Sequence, residues 1–255
     1  MLSKSKIKYI RSLELKKNRT EYKTFVAEGN KLVADILPFF ACELLVAKAS
    51  WLATQGEISA NEVIDSANNE IEKVSFLKSP QDVLAVFKQP NTDITTIDTQ
   101  TQLVIALDGI QDPGNLGTII RLADWFGIEH IVCSLDTVDV FSPKVIQATM
   151  GAIARVKVHY TDLPTFLIQQ KAPIYGTFLD GENMYTKELS NHGVIVMGNE
   201  GQGIRPATAA VVNERLYISN FPATRETSES LNVAIATSII CAEFRRREVA
   251  AMQPK

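Results

Sequence analysis

Between Leu103 and Arg247, short apolar runs alternate with segments of helical length, and this alternation constrains the fold more than any other property of the chain. The apolar runs at 103–107, 129–133, 155–160, 173–178, 194–198 and 215–219 read as buried strands. The segments at 116–126, 142–149, 161–170 and 230–247 read as helices. Strands that alternate with helices predict an α/β architecture, a mostly parallel sheet with helices on both faces. Periodicity carries no information on how such a chain threads. The first 90 residues alternate on a smaller scale. A basic amphipathic helix is expected over 2–17, with Ile7, Ile10 and Leu13 three residues apart. Strands follow at Thr24–Ala27, Cys42–Ala47 and Gln81–Phe87, and helices at Asn30–Leu37 and Glu70–Phe76. The polar stretch Gln89–Thr101 contains Pro90 and has no helical period. The expected organisation is therefore a small α/β domain at 1–90, a linker at 91–101 and a second domain at 102–255.

The strand expected at Leu103–Leu107 runs into a polar loop, Asp108-Gly-Ile-Gln-Asp-Pro-Gly-Asn-Leu-Gly, and then into a helix that Gly127 stops. Loops at the carboxyl ends of parallel strands are where open α/β sheets place their ligands. Asn115 and Arg121 sit six residues apart at the start of that helix, less than two turns, so both can reach one cleft. A second glycine-bearing turn, Met197-Gly-Asn-Glu-Gly-Gln-Gly203, follows another expected strand. It has neither the Rossmann order of glycines nor the Lys-Ser/Thr of a Walker loop. A third segment, Ser228-Glu-Ser-Leu-Asn-Val, opens the last helix.

Bulk properties exclude several classes. With 45% hydrophobic and 22% charged residues the composition is that of an ordinary globular protein. No apolar run approaches the ~18 residues of a membrane helix, and the N-terminus has no apolar stretch after its charges, so neither a membrane association nor a secretory signal is expected. Cys42, Cys133 and Cys241 are odd in number and far apart, as expected of buried thiols in a cytoplasmic protein. His130, His159 and His192 have no ligand spacing, and no metal is expected. The net charge of −3 hides a basic leading edge: residues 1–31 carry nine Lys or Arg against three Glu, whereas residues 32–98 carry four basic and ten acidic side chains. That edge suits either a polyanion gripped locally or a solvated helix.

The ordered set Asp-Pro-x-Asn-x-Gly with a following Arg, then Met-Gly-x-Glu-Gly-x-Gly, then Ser-Leu-Asn-Val, resembles the SpoU class (TrmH-like) of RNA ribose 2′-O-methyltransferases of the SPOUT superfamily, over about Gln102–Arg247. Ile10-Arg-Ser-Leu, Lys16-Lys17 and Phe25-Val-Ala-Glu-Gly29 are similar to the RNA-binding substrate domain of that family, an L30e-like α/β domain. The resemblance implies a deep trefoil knot in the second domain, a homodimer through the C-terminal domain and S-adenosylmethionine as cofactor. It implies structured RNA as partner, ribosomal RNA rather than transfer RNA. A transfer-RNA enzyme, or a non-catalytic RNA-binding or assembly factor on the same fold, is the alternative.

The resemblance also assigns residues. Arg121, Asn115, Glu200, Ser230 and Asn232 fall on the family's active-site positions. Backbone around Gly198, Ile218 and Leu231, with Met197 and Gly203, is implied to hold the cofactor. Lys16, Lys17, Arg19 and Arg11 are the expected RNA contacts. From local chemistry, Arg121 has apolar flanks and is expected to be partly buried, holding a phosphate and stabilising a developing alkoxide. Asn115 reads as a ribose contact or as the N-cap of its helix, and Ser230 as a substrate contact or the cap of the last helix. Glu200 is expected to orient Arg121 by an ion pair or to favour a helix dipole. The loop Ile218–Ser230 departs from the family pattern: it is longer, and the Pro and Gly usual before Ser-Leu-Asn are absent from their places, while Arg225 is an added candidate for phosphate.

Overall fold

The structure is a computed structural model that describes residues 2–222, 224–226 and 230–252. Ser228 and Glu229, the first residues of the third motif, lie outside the described residues. The chain forms two compact units, Met1–Asn91 with Asp139–Ala154, and Thr92–Val138 with Arg155–Lys255.

The first unit is built on a four-stranded sheet of β1 (Thr24–Glu28), β2 (Cys42–Ala47), β3 (Val63–Asp65) and β4 (Val83–Lys88), in the order β1-β4-β2-β3. β4 runs antiparallel to both neighbours, and β3 is parallel to β2. Alternation along the strands splits the core. Val26, Leu44, Val46, Leu84 and Val86 pack with Ile10, Leu13, Ile71 and Val74. Phe25 and Phe87 join Phe40 and Phe141 in an aromatic cluster with ring centroids 5.1–6.2 Å apart. Phe141 comes from Asp139–Ala154, whose helix Pro143–Thr149 packs on β1. That helix was expected within the second domain. The aromatic partners it finds on β1 place it in the first unit, and they explain why edge strand β1 is buried along its whole length.

The single helix expected over 2–17 is two helices, α1 (Lys4–Ser12) and α2 (Lys16–Tyr22). Leu13 turns into the core with no exposed surface. Side chains then take the carbonyls that the broken helix leaves: Asn18 donates to Ser12 O, and Arg19 donates to Leu13 O and Glu14 O, all at 2.7 Å. The remaining helices of this unit are α3 (Asn30–Ile36), α4 (Ala49–Leu52), α5 (Asn68–Val74) and, from the returning segment, α7 (Pro143–Thr149).

The second unit holds six strands: β5 (Leu103–Asp108), β6 (His130–Ser134), β7 (Lys157–Thr161), β8 (Ile174–Asn183), β9 (Gly193–Gly198) and β10 (Glu214–Tyr217). Every pairing is parallel, in the order β10-β8-β9-β5-β6-β7. β5 and β9 sit centrally and are buried almost throughout, as fully covered parallel strands must be. Helix α8 (Leu163–Ile168) packs through Leu163, Phe166 and Leu167 on Val104, Ala106, Val132, Val194 and Val196. The long helices α6 (Pro113–Trp125) and α10 (Val233–Met252) pack on each other, α6 also meeting β6 and α10 meeting β9. A short helix, α9 (Pro206–Ala209), follows the β9 loop. The chain moves outward from β5 through β6 to β7, then crosses back so that β9 lies beside β5. Asp108 and Gly198, the last residues of these two strands, are register partners. The loops leaving them therefore start side by side at a topological switch point.

Among the described residues no helix is long and apolar enough to cross a membrane, and no group of three or more His, Cys, Asp or Glu is placed to hold a metal ion.

Candidate active site

The loop after β5 enters α6 through Asp112, whose side chain accepts the Asn115 amide at 2.8 Å, with Pro113 in the first helical position. The helix thus begins at 113 rather than 116, and Asp112, not Asn115, is its cap. That releases the Asn115 side chain for other work. Its Nδ2 donates to Glu200 Oε1 at 2.6 Å, and its Oδ1 accepts from Asn232 Nδ2 at 3.0 Å. Asn232 in turn uses Oδ1 to accept the amides of Ala234 at 3.0 Å and Ile235 at 3.3 Å. It caps α10, a role the sequence suggested for Ser230. The three motifs therefore meet through one chain of side chains, Glu200–Asn115–Asn232.

Glu200 does not pair with Arg121, as expected from sequence, because its carboxylate is engaged by Asn115. Arg121 is exposed on α6 rather than partly buried, and among the described residues it has no hydrogen bond or ion pair. Its apolar flanks Ile119, Ile120 and Ala123 are buried, and the helical period turns Arg121 away from them.

Beside this chain lies a cavity of about 810 Å³. Met197, Gly198, Gly203, Ile218 and Leu231, the five residues expected at the cofactor, all line it, with Glu200 and Ser230. Asn115, Arg121 and Asn232 do not. Phe178, Leu179 and Tyr217 form further parts of the wall, and no sequence pattern singles them out. Within the turn after β9 that lines it, backbone packs directly on backbone. A Cβ on Gly198 would stand 2.2 Å from Gly203 C and from Ile204 N, so no other residue fits there. A mixed polar and apolar pocket of this size, lined in part by glycine backbone, suits an adenosine with a short charged tail.

The contacts that hold the loops are not among those expected from sequence. Asp108 is fully buried and paired with Arg205, which also reaches Asp136. The Asp108 hydrogen bonds and charge, together with Asp136, push the Arg205 guanidinium above its usual value. Burial pushes the Asp136 carboxyl up, yet hydrogen bonds from Ser134 and from its own backbone, with the Arg205 charge, hold it below the usual value. A charged residue ending an apolar strand was the available signal, since a buried carboxylate requires a partner.

In the first unit, Lys16 and Lys17 are exposed and, among the described residues, engage no acidic group. Arg11 lies with its guanidinium carbon 5.0 Å from the Phe76 ring centre and donates to Ser75 O at 2.7 Å. Arg19 is not an RNA contact. It is 3% exposed, and its guanidinium binds Asp139 Oδ2 at 2.6 and 2.9 Å. A cation locked in the core has no face left for a phosphate.

The fold and site define an α/β protein that receives a nucleoside-sized ligand at the switch point of a parallel sheet, joined to a small α/β domain. Comparison with known proteins narrows that class. Residues 102–242 match the SpoU rRNA Methylase family, and residues 4–85 match the MRM3-like substrate binding domain. The chain belongs to the SpoU rRNA methylase family. It is 31% identical to the 23S rRNA (guanosine(2553)-2′-O)-methyltransferase RlmP of Bacillus subtilis, across 94% of this chain and 96% of that protein. A putative RNA methyltransferase of the TrmH family from Porphyromonas gingivalis superposes with a TM-score of 0.87 at 43% identity, covering 97% of this chain and 99% of that one. The AdoMet-bound rRNA methyltransferase from Sinorhizobium meliloti superposes with a TM-score of 0.82 at 32% identity, covering 97% of each.

Proposed function

We propose that this protein transfers a methyl group from S-adenosylmethionine to a ribose 2′-hydroxyl of ribosomal RNA. The Glu200–Asn115–Asn232 chain beside the glycine-lined cavity carries the reading, because it joins all three motifs at one place. S-adenosylmethionine supplies an electrophilic methyl on a good leaving group, so the residues' main task is in-line positioning. Gly198 and Gly203 let the adenosine approach backbone, and Met197, Ile218 and Leu231 give it apolar contact. Asn115, its amide oriented from both sides, presents a fixed polar group to the ribose. Arg121, exposed and uncommitted, binds an adjacent phosphate in bidentate fashion and steadies the charge that develops on the attacking oxygen.

Lys16, Lys17 and Arg11 form the RNA-facing edge of the first unit, which we take to be L30e-like. The path from β9 through α10 is taken to be the deep trefoil knot of the family. The homodimer forms through α6 and α10, where Trp125 is 84% and Ile235 53% exposed on two helices that already pack together. The cytoplasm is the compartment that fits its three free, buried cysteines.

Two measurements test the proposal. Calorimetry with S-adenosylmethionine should give one site per chain, and ribose-methylation mapping of ribosomal RNA from cells with and without the protein should show one position lost. No donor binding, or an unchanged methylation map, overturns it.

A further inference from the structure

The loops that carry Asn115 and Glu200 are also joined behind the site. Asp108 ends β5 with no exposed surface. Its Oδ2 accepts the Arg205 backbone amide at 2.9 Å, and its Oδ1 accepts Arg205 Nε at 2.8 Å and a second guanidinium nitrogen. The same guanidinium reaches both carboxylate oxygens of Asp136, in the loop after β6, at 3.1 and 3.2 Å. Asn199 adds a strut: its Nδ2 donates to Gly109 O at 2.7 Å, and its Oδ1 accepts the amides of Gly201 at 2.9 Å and Gln202 at 3.1 Å. Gly109, at φ 77°, donates its amide to Ser134 Oγ at 2.8 Å. Three loops leaving β5, β6 and β9 are thereby clasped together.

We propose that Arg205 and Asn199 are positioning residues for methyl transfer, holding the β5 and β9 loops at the separation over which Asn115 meets Glu200. The inference rests on the methyltransferase reading of the site. Neither residue lines up with the sheet's apolar core, which closes without them through Val104, Ala106, Val194, Val196 and the helix α8. Their loss therefore loosens loops rather than the sheet. Arg205 is needed as a fork: one planar guanidinium serves two carboxylates in different loops, and a lysine ammonium, a point charge, cannot hold both in this geometry. Asn199 immediately precedes Glu200, so a shift in its strut moves the Glu200 carboxylate directly.

The experiment compares wild-type protein with Arg205→Lys, Asn199→Ala and the double variant. It measures donor affinity by calorimetry, kcat and KM with ribosomal RNA, and the unfolding temperature. Each single change is expected to lower kcat, read at saturating donor, at least tenfold while KM for RNA stays within about threefold. Asn199→Ala is expected to unfold close to the wild-type temperature, whereas Arg205→Lys also lowers it, because it leaves the fully buried Asp108 less well paired. The double variant is expected to lose less than the product of the two, since both act on one loop geometry. Wild-type kcat in both single variants, or a kcat loss in Asn199→Ala that only tracks a lowered unfolding temperature, overturns the inference. If Arg205→Lys does not fold, Asn199→Ala, at a half-buried loop position, decides alone. Absence of donor binding and transfer in the wild-type protein would instead defeat the methyltransferase reading.

Discussion

Asn232 Nδ2 donates to Asn115 Oδ1 at 3.0 Å, joining the first turns of two helices that are 117 residues apart in sequence. Because Asn115 also donates to Glu200, its amide must present nitrogen to one neighbour and oxygen to the other. Asn115→Asp keeps the shape but removes the donor and sets a second carboxylate against Glu200. Single-turnover methyl transfer is expected to fall at least a hundredfold, a size in keeping with loss of a charge-assisted hydrogen bond and added repulsion. Donor affinity, read by calorimetry, should change by only a few fold, because Asn115 does not line the cavity. Transfer near the wild-type rate would separate this link from catalysis.

Arg121→Ala should abolish transfer while leaving donor affinity within several-fold. The side chain is exposed, has no partner among the described residues and stands outside the cavity wall, so its removal costs neither stability nor donor contacts. Arg121→Lys keeps the charge but loses the bidentate fork, and should restore little. Normal turnover in Arg121→Ala would remove the residue from the mechanism.

The parts of this site legible in sequence are those set by local rules. Glycines where backbone approaches backbone, a polar loop after an apolar strand, and the period of α6 all follow from neighbours within a few residues. The expected cofactor residues line one cavity because each sits at a strand end or helix start, where the parallel fold gathers its loops. What sequence hid is long-range. Nothing near Asp108 indicates that Arg205 neutralises it. Nothing near Arg19 reveals Asp139, and a basic run there reads as surface. The Glu200 partner is hidden for the same reason: charge points to Arg121, whereas loop geometry delivers an amide. The break between α1 and α2 was hidden because Leu13 fits the helical period yet is drawn into the core below it.

Arg19 and its neighbours Lys16 and Lys17 should separate cleanly. Arg19→Ala leaves Asp139 and two backbone carbonyls without their donor in a nearly dry site. Removing one partner of a buried ion pair costs roughly 3–5 kcal/mol. Denaturant unfolding should show that loss, and RNA affinity of the remaining folded protein should be little changed. The double change Lys16→Ala and Lys17→Ala should leave unfolding untouched. It should weaken RNA binding and reduce the dependence of log K on log salt by about 0.7–0.9 for each phosphate contact removed. An unaltered salt slope would take these lysines off the RNA surface.

His130 and His159, on adjacent strands β6 and β7, lie with Nδ1 and Nε2 3.1 Å apart and rings stacked at 5.3 Å, each 3% exposed. Burial, the His130 ring and Lys157 push His159 down to about 4, with Asp93 opposing. Burial and Lys157 likewise lower His130, against Glu129. A histidine whose folded value lies below its unfolded 6.5 is neutral in the native state, so the unfolded chain binds more protons between the two values. Stability contributed by the neutral pair is complete above pH 6.5 and is lost as pH falls toward 4. Glu243, held at about 2 by hydrogen bonds from Arg246 and Arg247, titrates below its unfolded 4.5 and stays out of the upper part of the range. Urea unfolding at pH 7.5, 6.0 and 5.0 should therefore show stability decreasing with pH. His159→Gln, which keeps a hydrogen-bonding side chain but cannot titrate, should flatten that decline, and an identical pH profile in the variant would show that the pair is not its source.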